Sequence, residues 1–194
     1  MQINIDFNKE DLIQYLMQHL IKHFSLEPLQ EKFQLAEYCM DILARHRKSK
    51  DLVVFSVLKE AAGEEAICNV IKQRELISYY LLNKRLKIVQ EVKSINPETL
   101  RNLLNAANGV EAVIIAESFP ENIQDQFPWP WLQCYTYAFS SLINQTSAAD
   151  LSIRMNFSFN EVILTSSTES FGEKDLSENE LLNQYIKQNY IYAR

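Results

Sequence analysis

The stretch Arg85–Glu117, RLKIVQEVKSINPETLRNLLNAANGVEAVIIAE, constrains the fold most, because it reads as a strand, a helix and a second strand in succession. Asn96 stands where an N-cap belongs, Pro97 fits the first helical position, and Gly109 follows the last apolar turn as a C-terminal stop. The run Val110, Ala112, Val113, Ile114, Ile115, Ala116 is too short for a helix and suits a buried central strand. This unit argues for a domain that mixes helices and strands, and it carries no catalytic signature.

A chain of 194 residues suffices for one domain with a substantial core, and its 47% hydrophobic content argues against disorder. No run approaches the roughly 18 apolar residues of a membrane span. The start, MQINIDFNKED, lacks a basic segment and an apolar signal core, so a cytoplasmic protein is expected. Cys39, Cys68 and Cys134 form no CxxC pair and read as reduced, mostly buried thiols, without a zinc site. Gly63, Gly109 and Gly172 are the only glycines. They cannot build a phosphate loop or a dinucleotide fingerprint, and no G-x-S-x-G exists. No cofactor is expected.

The net charge of −6 is unevenly placed. Residues 1–50 balance to zero, whereas from Asn102 to Glu173 Arg154 is the sole cation among eight acids. Such an acidic half repels phosphate backbones, which predicts no nucleic-acid partner, and it complements a basic protein surface.

Along the chain, Asn8 and Asp11 signal a helix start, and Leu12, Ile13, Leu16, Met17, Leu20, Ile21 and Phe24 follow at helical spacing. Pro28 opens a second predicted helix with the stripe Leu29, Phe33, Ala36, Met40, Leu43, which makes an N-terminal helical hairpin ending in the cations of Arg45–Lys50. That charge run reads as a solvated helix end. Residues 51–59 form a predicted strand. The segment 65–83 fits a helix, with a strand over Ile67–Ile71 as the alternative. Residues 132–144 read as a buried helix, with Tyr135, Ala138, Phe139 and Leu142 on one face. Leu151–Phe159 alternates cleanly as a strand, a second strand is expected from Val162 to Thr165, and Ser177–Glu180 caps a final helix. The expected fold is α+β: one domain with a mixed or antiparallel sheet covered by helices, the hairpin over 1–50 and an α/β body over 51–194.

Two constellations carry candidate chemistry. His19 and His23 share a helical face at metal-ligand spacing, but a third ligand is missing and they read as surface histidines beside the core stripe. A metal-dependent nuclease needs an acid on one strand and Glu-x-Lys on the next. Asp51 before a strand, with Glu91-Val92-Lys93, has that form and is the enzyme alternative, although the pattern has low specificity. The most distinctive stretch, Phe127-Pro128-Trp129-Pro130-Trp131, holds both tryptophans. Prolines stiffen it, and tryptophans are common interface anchors, so Phe127, Trp129 and Trp131 with Glu121 and Asp125 are the predicted partner-binding surface. Trp131 also fits a place capping the core.

Residues Leu86–Ser94, the Leu100, Leu103, Leu104 helix and Val113–Glu117 resemble a strand–helix–strand stretch of IcmW-type adaptors, the small acidic subunits of the type IVB (Dot/Icm) secretion coupling complex. The resemblance covers about a sixth of the chain. It implies a non-enzymatic bacterial adaptor or secretion-chaperone-like protein, linked to virulence, that pairs with a second small subunit and presents effector proteins. It brings no catalytic or metal-binding residues. The N-terminal helices and the tryptophan loop lie outside it.

Overall fold

The computed structural model describes residues 6–35, 38–83, 96–121, 123, 127, 129–145 and 151–162. Asn8 accepts a hydrogen bond from the Asp11 amide at 2.9 Å, and the Asp11 carboxylate accepts from the Asn8 amide at 2.8 Å. This reciprocal box starts helix α1 (Lys9–Phe24), which ends at Ser25 in the left-handed conformation, φ 58°. Its apolar stripe buries Leu12, Ile13, Leu16 and Leu20, as the spacing predicts.

The chain then enters a six-stranded mixed sheet: β1 (Leu26–Leu35), β2 (Tyr38–His46), β3 (Leu52–Val57), β4 (Val110–Ala116), β5 (Leu132–Gln145) and β6 (Leu151–Val162). Strands lie side by side in chain order. β3–β4 and β4–β5 pair parallel, and the remaining neighbours pair antiparallel. Parallel neighbours need crossovers. The first runs through helices α2 (Glu64–Asn83) and α3 (Pro97–Ala106). The second is the 117–131 segment, whose Phe119, Ile123, Phe127, Trp129 and Trp131 pack on the core.

Helices therefore cover both faces. On one, α1 packs over Ile42, Ala44, Val53, Phe55, Val57, Val113 and Ile115. On the other, Ile67, Val70, Ile71 and Ile77 of α2 cover Leu43, Leu52, Val54, Ala112, Ile114 and Cys134. The α+β class with a helix-covered mixed sheet is as expected, and so are α1, β3, the α2 reading of 64–83, β4, and the helix Pro97–Ala106 capped by Asn96. The first strand expected in the 85–117 unit, the start of the chain before Asp6, the strand expected over 162–165 apart from Val162 itself, and the tail helix lie outside the described residues.

Three segments differ. The second helix of the N-terminal hairpin is instead the strand pair β1–β2, joined to β3 through Ile42↔Phe55 and Leu43↔Val54, so that residues 26–46 belong to the same sheet as β3. Leu29, Phe33, Met40 and Leu43 satisfy helical spacing by coincidence: Phe33 pairs with Met40 across the hairpin, and Gln30 with Leu43. Residues 132–144 are strand β5, whose aromatic and β-branched residues suit a pleated surface. Finally, β6 runs straight through Asn160–Glu161 to Val162, the residue expected to open a separate strand. Among the described residues no helix is long and apolar enough to cross a membrane.

Phe55 is fully buried on β3 beneath α1. Phe55→Ala should lower unfolding stability by about 3–5 kcal/mol in urea titration, whereas Asn8→Ala, which removes a helix cap, should cost about 1 kcal/mol.

Candidate functional site

One end of the sheet collects polar groups from several strands. β2 ends there at His46, and β3, β4 and β5 begin there. The β2–β3 connection is a tight turn in which the His46 amide donates to the Asp51 carbonyl and the Lys50 amide to the His46 carbonyl, with Lys50 left-handed at φ 68°. Arg47, Lys48 and Lys50 are exposed on it. Arg45, just inside the strand, donates Nε to Glu27 at 2.9 Å and holds that carboxyl below its ordinary range.

On the α1 face beside this turn lies a cavity of about 200 Å³, lined on its polar side by His23, His46, Glu111, Gln133 and Tyr135. Strand register explains the grouping: Glu111 is opposite Val53, Val113 opposite Gln133, and Ile115 opposite Tyr135, so alternate residues of β4 and β5 share the face. His46 Nε2 lies 3.0 Å from Glu111 Oε2. A carboxylate only accepts, so the Nε2 proton points at Glu111 and Nδ1 is left to exchange protons. Gln133 Nε2 donates to the same Glu111 oxygen at 3.4 Å, and the Tyr135 hydroxyl donates to Gln133 Oε1 at 3.0 Å. Burial first, then the nearby Glu161 and Glu111 carboxylates, push the Tyr135 hydroxyl up from its usual pKa. The His46 and Glu111 side chains keep 34% and 31% exposure, enough to be reached from solvent.

His23 faces the cavity from the last turn of α1. Its Nε2 is 3.3 Å from the Tyr15 hydroxyl, which itself reaches Asn156 Oδ1 at 3.0 Å and the Phe157 carbonyl at 3.3 Å. Tyr15 has one proton and two acceptors, so its oxygen accepts from His23 Nε2–H. The neutral ring then carries its lone pair on Nδ1. Desolvation, then Lys22 and His19, hold the His23 imidazole below its usual value of 6.5. His19 instead stacks on Tyr15, with Nδ1 2.8 Å from the Tyr15 carbonyl.

The other predicted residues fall elsewhere. Asp51 stands at the start of β3, with a buried Oδ1 that has no hydrogen-bond partner among the described residues, close against Gly109. Glu91 and Lys93 lie outside the described residues. A partial version of the acid-plus-lysine pattern occurs at the opposite end of the sheet. Asp41 of β2 accepts from the Val57 amide and from Lys9 at 2.7 Å, and Lys59 follows β3. Val57 stands where that pattern needs a second carboxylate. Among the described residues no three His, Cys, Asp or Glu side chains converge to hold a metal ion.

Phe127 is buried in the core, 7% exposed. Trp129 and Trp131 are half-buried against it, stacked with centroids 5.0 Å apart, and the Arg74 guanidinium lies 4.2 Å over Trp131. Glu121 is exposed, and Asp125 is outside the described residues. Of the cysteines, Cys134 alone is buried, its thiol pushed up to about 12 by burial, while Cys39 is exposed. Sequence reading missed His46, Glu111, Gln133 and Tyr135 because their association depends on strand register. The local hint was a histidine inside the basic run 45–50.

No family model and no curated protein sequence matches the chain. Solved structures with a distant likeness include the EndoMS–dsDNA2 complex, at 10% identity and TM-score 0.40, covering 62% of this chain and 42% of that one. A repair endonuclease from Pyrococcus abyssi matches at 10% identity and TM-score 0.41, covering 69% and 48%. The chain spans less than half the length of either. One is a complex with double-stranded DNA and the other a repair endonuclease; neither is a secretion adaptor. The adaptor and chaperone reading, with its secretion and virulence associations and its exclusion of nucleic acid, finds no counterpart among them and is not kept. At these TM-scores the likeness carries no reaction or residue to this chain. A local reason is also visible: the cations of 45–50, expected on a helix end, stand on a hairpin turn beside the cavity.

Because the folded His23 takes up its proton at lower pH than the unfolded one, its contribution to stability is lost as pH falls through and below 6.5. Melting temperature should therefore drop from about pH 7.5 to about pH 5.5, and His23→Gln should lessen the drop, as read by differential scanning calorimetry.

Proposed function

We propose that this end of the sheet binds nucleic acid by its phosphodiester backbone and supports its cleavage by general acid–base chemistry. The observation that carries the reading is the placement of the basic β2–β3 turn directly on a cavity that holds the His46–Glu111 pair. Exposed cations attract and register phosphates without reading sequence. The imidazole, held by a carboxylate in one orientation, moves a proton at Nδ1, and such positioned transfer contributes about 10²–10⁴-fold to rate. Tyr135 and Gln133 hold the Glu111 carboxylate in place, much as outer hydrogen bonds orient a catalytic group. The acidic bulk of the second half does not oppose this, because fields at a surface are set locally and screened within about 10 Å at ordinary salt.

For the metal-dependent alternative, Asp51 stands at the start of β3, and Glu91 and Lys93 lie outside the described residues. No step is assigned to a metal ion.

Binding of fluorescent single- and double-stranded oligonucleotides, followed by anisotropy over a salt series, tests the first half of the proposal. Arg47→Ala/Lys48→Ala should weaken binding uniformly across sequences and flatten the salt dependence by about one unit of slope per phosphate contact removed. His46→Gln should bind like the parent and lose cleavage. Parent protein that fails to bind any oligonucleotide at low salt ends the reading.

A further inference from the structure

Two imidazoles border the cavity, and hydrogen bonding gives them complementary roles. His23 has its Nε2–H committed to Tyr15, and His46 has its Nε2–H committed to Glu111. Each ring therefore keeps Nδ1, and both residues line the same cavity, His23 from α1 and His46 from β2. Resting on the phosphodiester reading above, we propose that the substrate is RNA, and that its own 2′-hydroxyl is the nucleophile, with His23 as base and His46 as acid.

The step balances. His23 Nδ1 takes the 2′-hydroxyl proton while the 2′-oxygen forms a bond to phosphorus. The P–O5′ bond breaks, and its oxygen takes a proton from Nδ1 of the His46 imidazolium. The products are a 2′,3′-cyclic phosphate and a 5′-hydroxyl. His23 leaves the step protonated and His46 neutral, and exchange with water restores both. Desolvation beside Phe24 and Phe159 favours the neutral, basic form of His23, in keeping with its lowered pKa. The Glu111 carboxylate compensates the charge on a protonated His46.

Among the described residues, the protein supplies little else as a nucleophile at this cavity. The Cys134 thiol is buried on the far face of the sheet and kept protonated. Ser25 lines the cavity but is the left-handed cap of α1, and its backbone N–H bonds back to Leu20 and Ile21. A 2′-hydroxyl brought in by the substrate needs no activated side chain, only a base within reach.

The test uses the full chain with three oligonucleotides of one sequence: all RNA, all DNA, and DNA with a single internal ribonucleotide. Binding is followed by anisotropy, and product ends are identified by mass spectrometry. Cleavage confined to the bond 3′ of a ribonucleotide, with 2′,3′-cyclic phosphate and 5′-hydroxyl ends, supports the proposal. His23→Gln and His46→Gln should each slow it by about 10²–10⁴-fold with binding and circular dichroism retained. DNA cleaved as fast as RNA, or products with 5′-phosphate ends, would overturn this inference while leaving the phosphodiester reading intact. A covalent adduct at Ser25 would also overturn it. All three oligonucleotides bound but uncut overturn the inference and reduce the earlier reading to binding alone. None bound overturns both.

Discussion

Burial of β3, β4 and the start of β5 on both faces at once is the constraint on which the rest of the molecule depends. On β3, Val53, Phe55 and Val57 go under α1 while Leu52 and Val54 go under α2, and every one of these side chains is at most 1% exposed. A strip so apolar is unstable until both helices cover it, because each large side chain left in water forgoes about 1.5–3 kcal/mol. α1 must therefore pack across the antiparallel half, and α2 must cross over to bring β4 in parallel. Once these layers are set, the ends of the strands are the places where polar residues can gather, and His46, Glu111 and Gln133 stand at one such end.

That arrangement explains which parts of the fold can be read from one sequence. β3 and β4 are continuous apolar runs, α1 carries its own cap and stripe, and Asn96-Pro97 announces a helix through local chemistry. β1, β2 and β5 are different. Each has apolar residues on both faces, as when Cys134 is buried on the α2 side and its neighbour Tyr135 packs toward α1. Two-sided burial erases the alternation that distinguishes a strand, and what remains fits a helix equally well.

The site was less legible than the fold. His46 and Glu111 are 65 residues apart, and Gln133 is 22 residues beyond Glu111. Three strand pairings bring them together, and none of the pairings has a local signature. His23 was visible as half of an i, i+4 pair, but its partner His19 turned out to stack on Tyr15, while His23 itself bonds to Tyr15 two turns back and shares its cavity with residues of other elements. The tryptophan loop is a separate case. Stiff and aromatic, it has the composition of a binding surface. Here its rings line the second crossover and pack on the α2 side of the core, with Arg74 over Trp131.

The edge strand β1 has a consequence of its own. An edge strand offers unpaired amides and carbonyls to any other extended chain, and long regular edges seed aggregation. β1 blunts its edge three times over: Pro28 has no amide to donate, the register slips between Pro28 and Gln30, and Lys32 turns left-handed at φ 50° with its charge exposed. None of these features helps the strand pair with β2. Together they make β1 a poor template, so that the sheet ends where its own chain begins it.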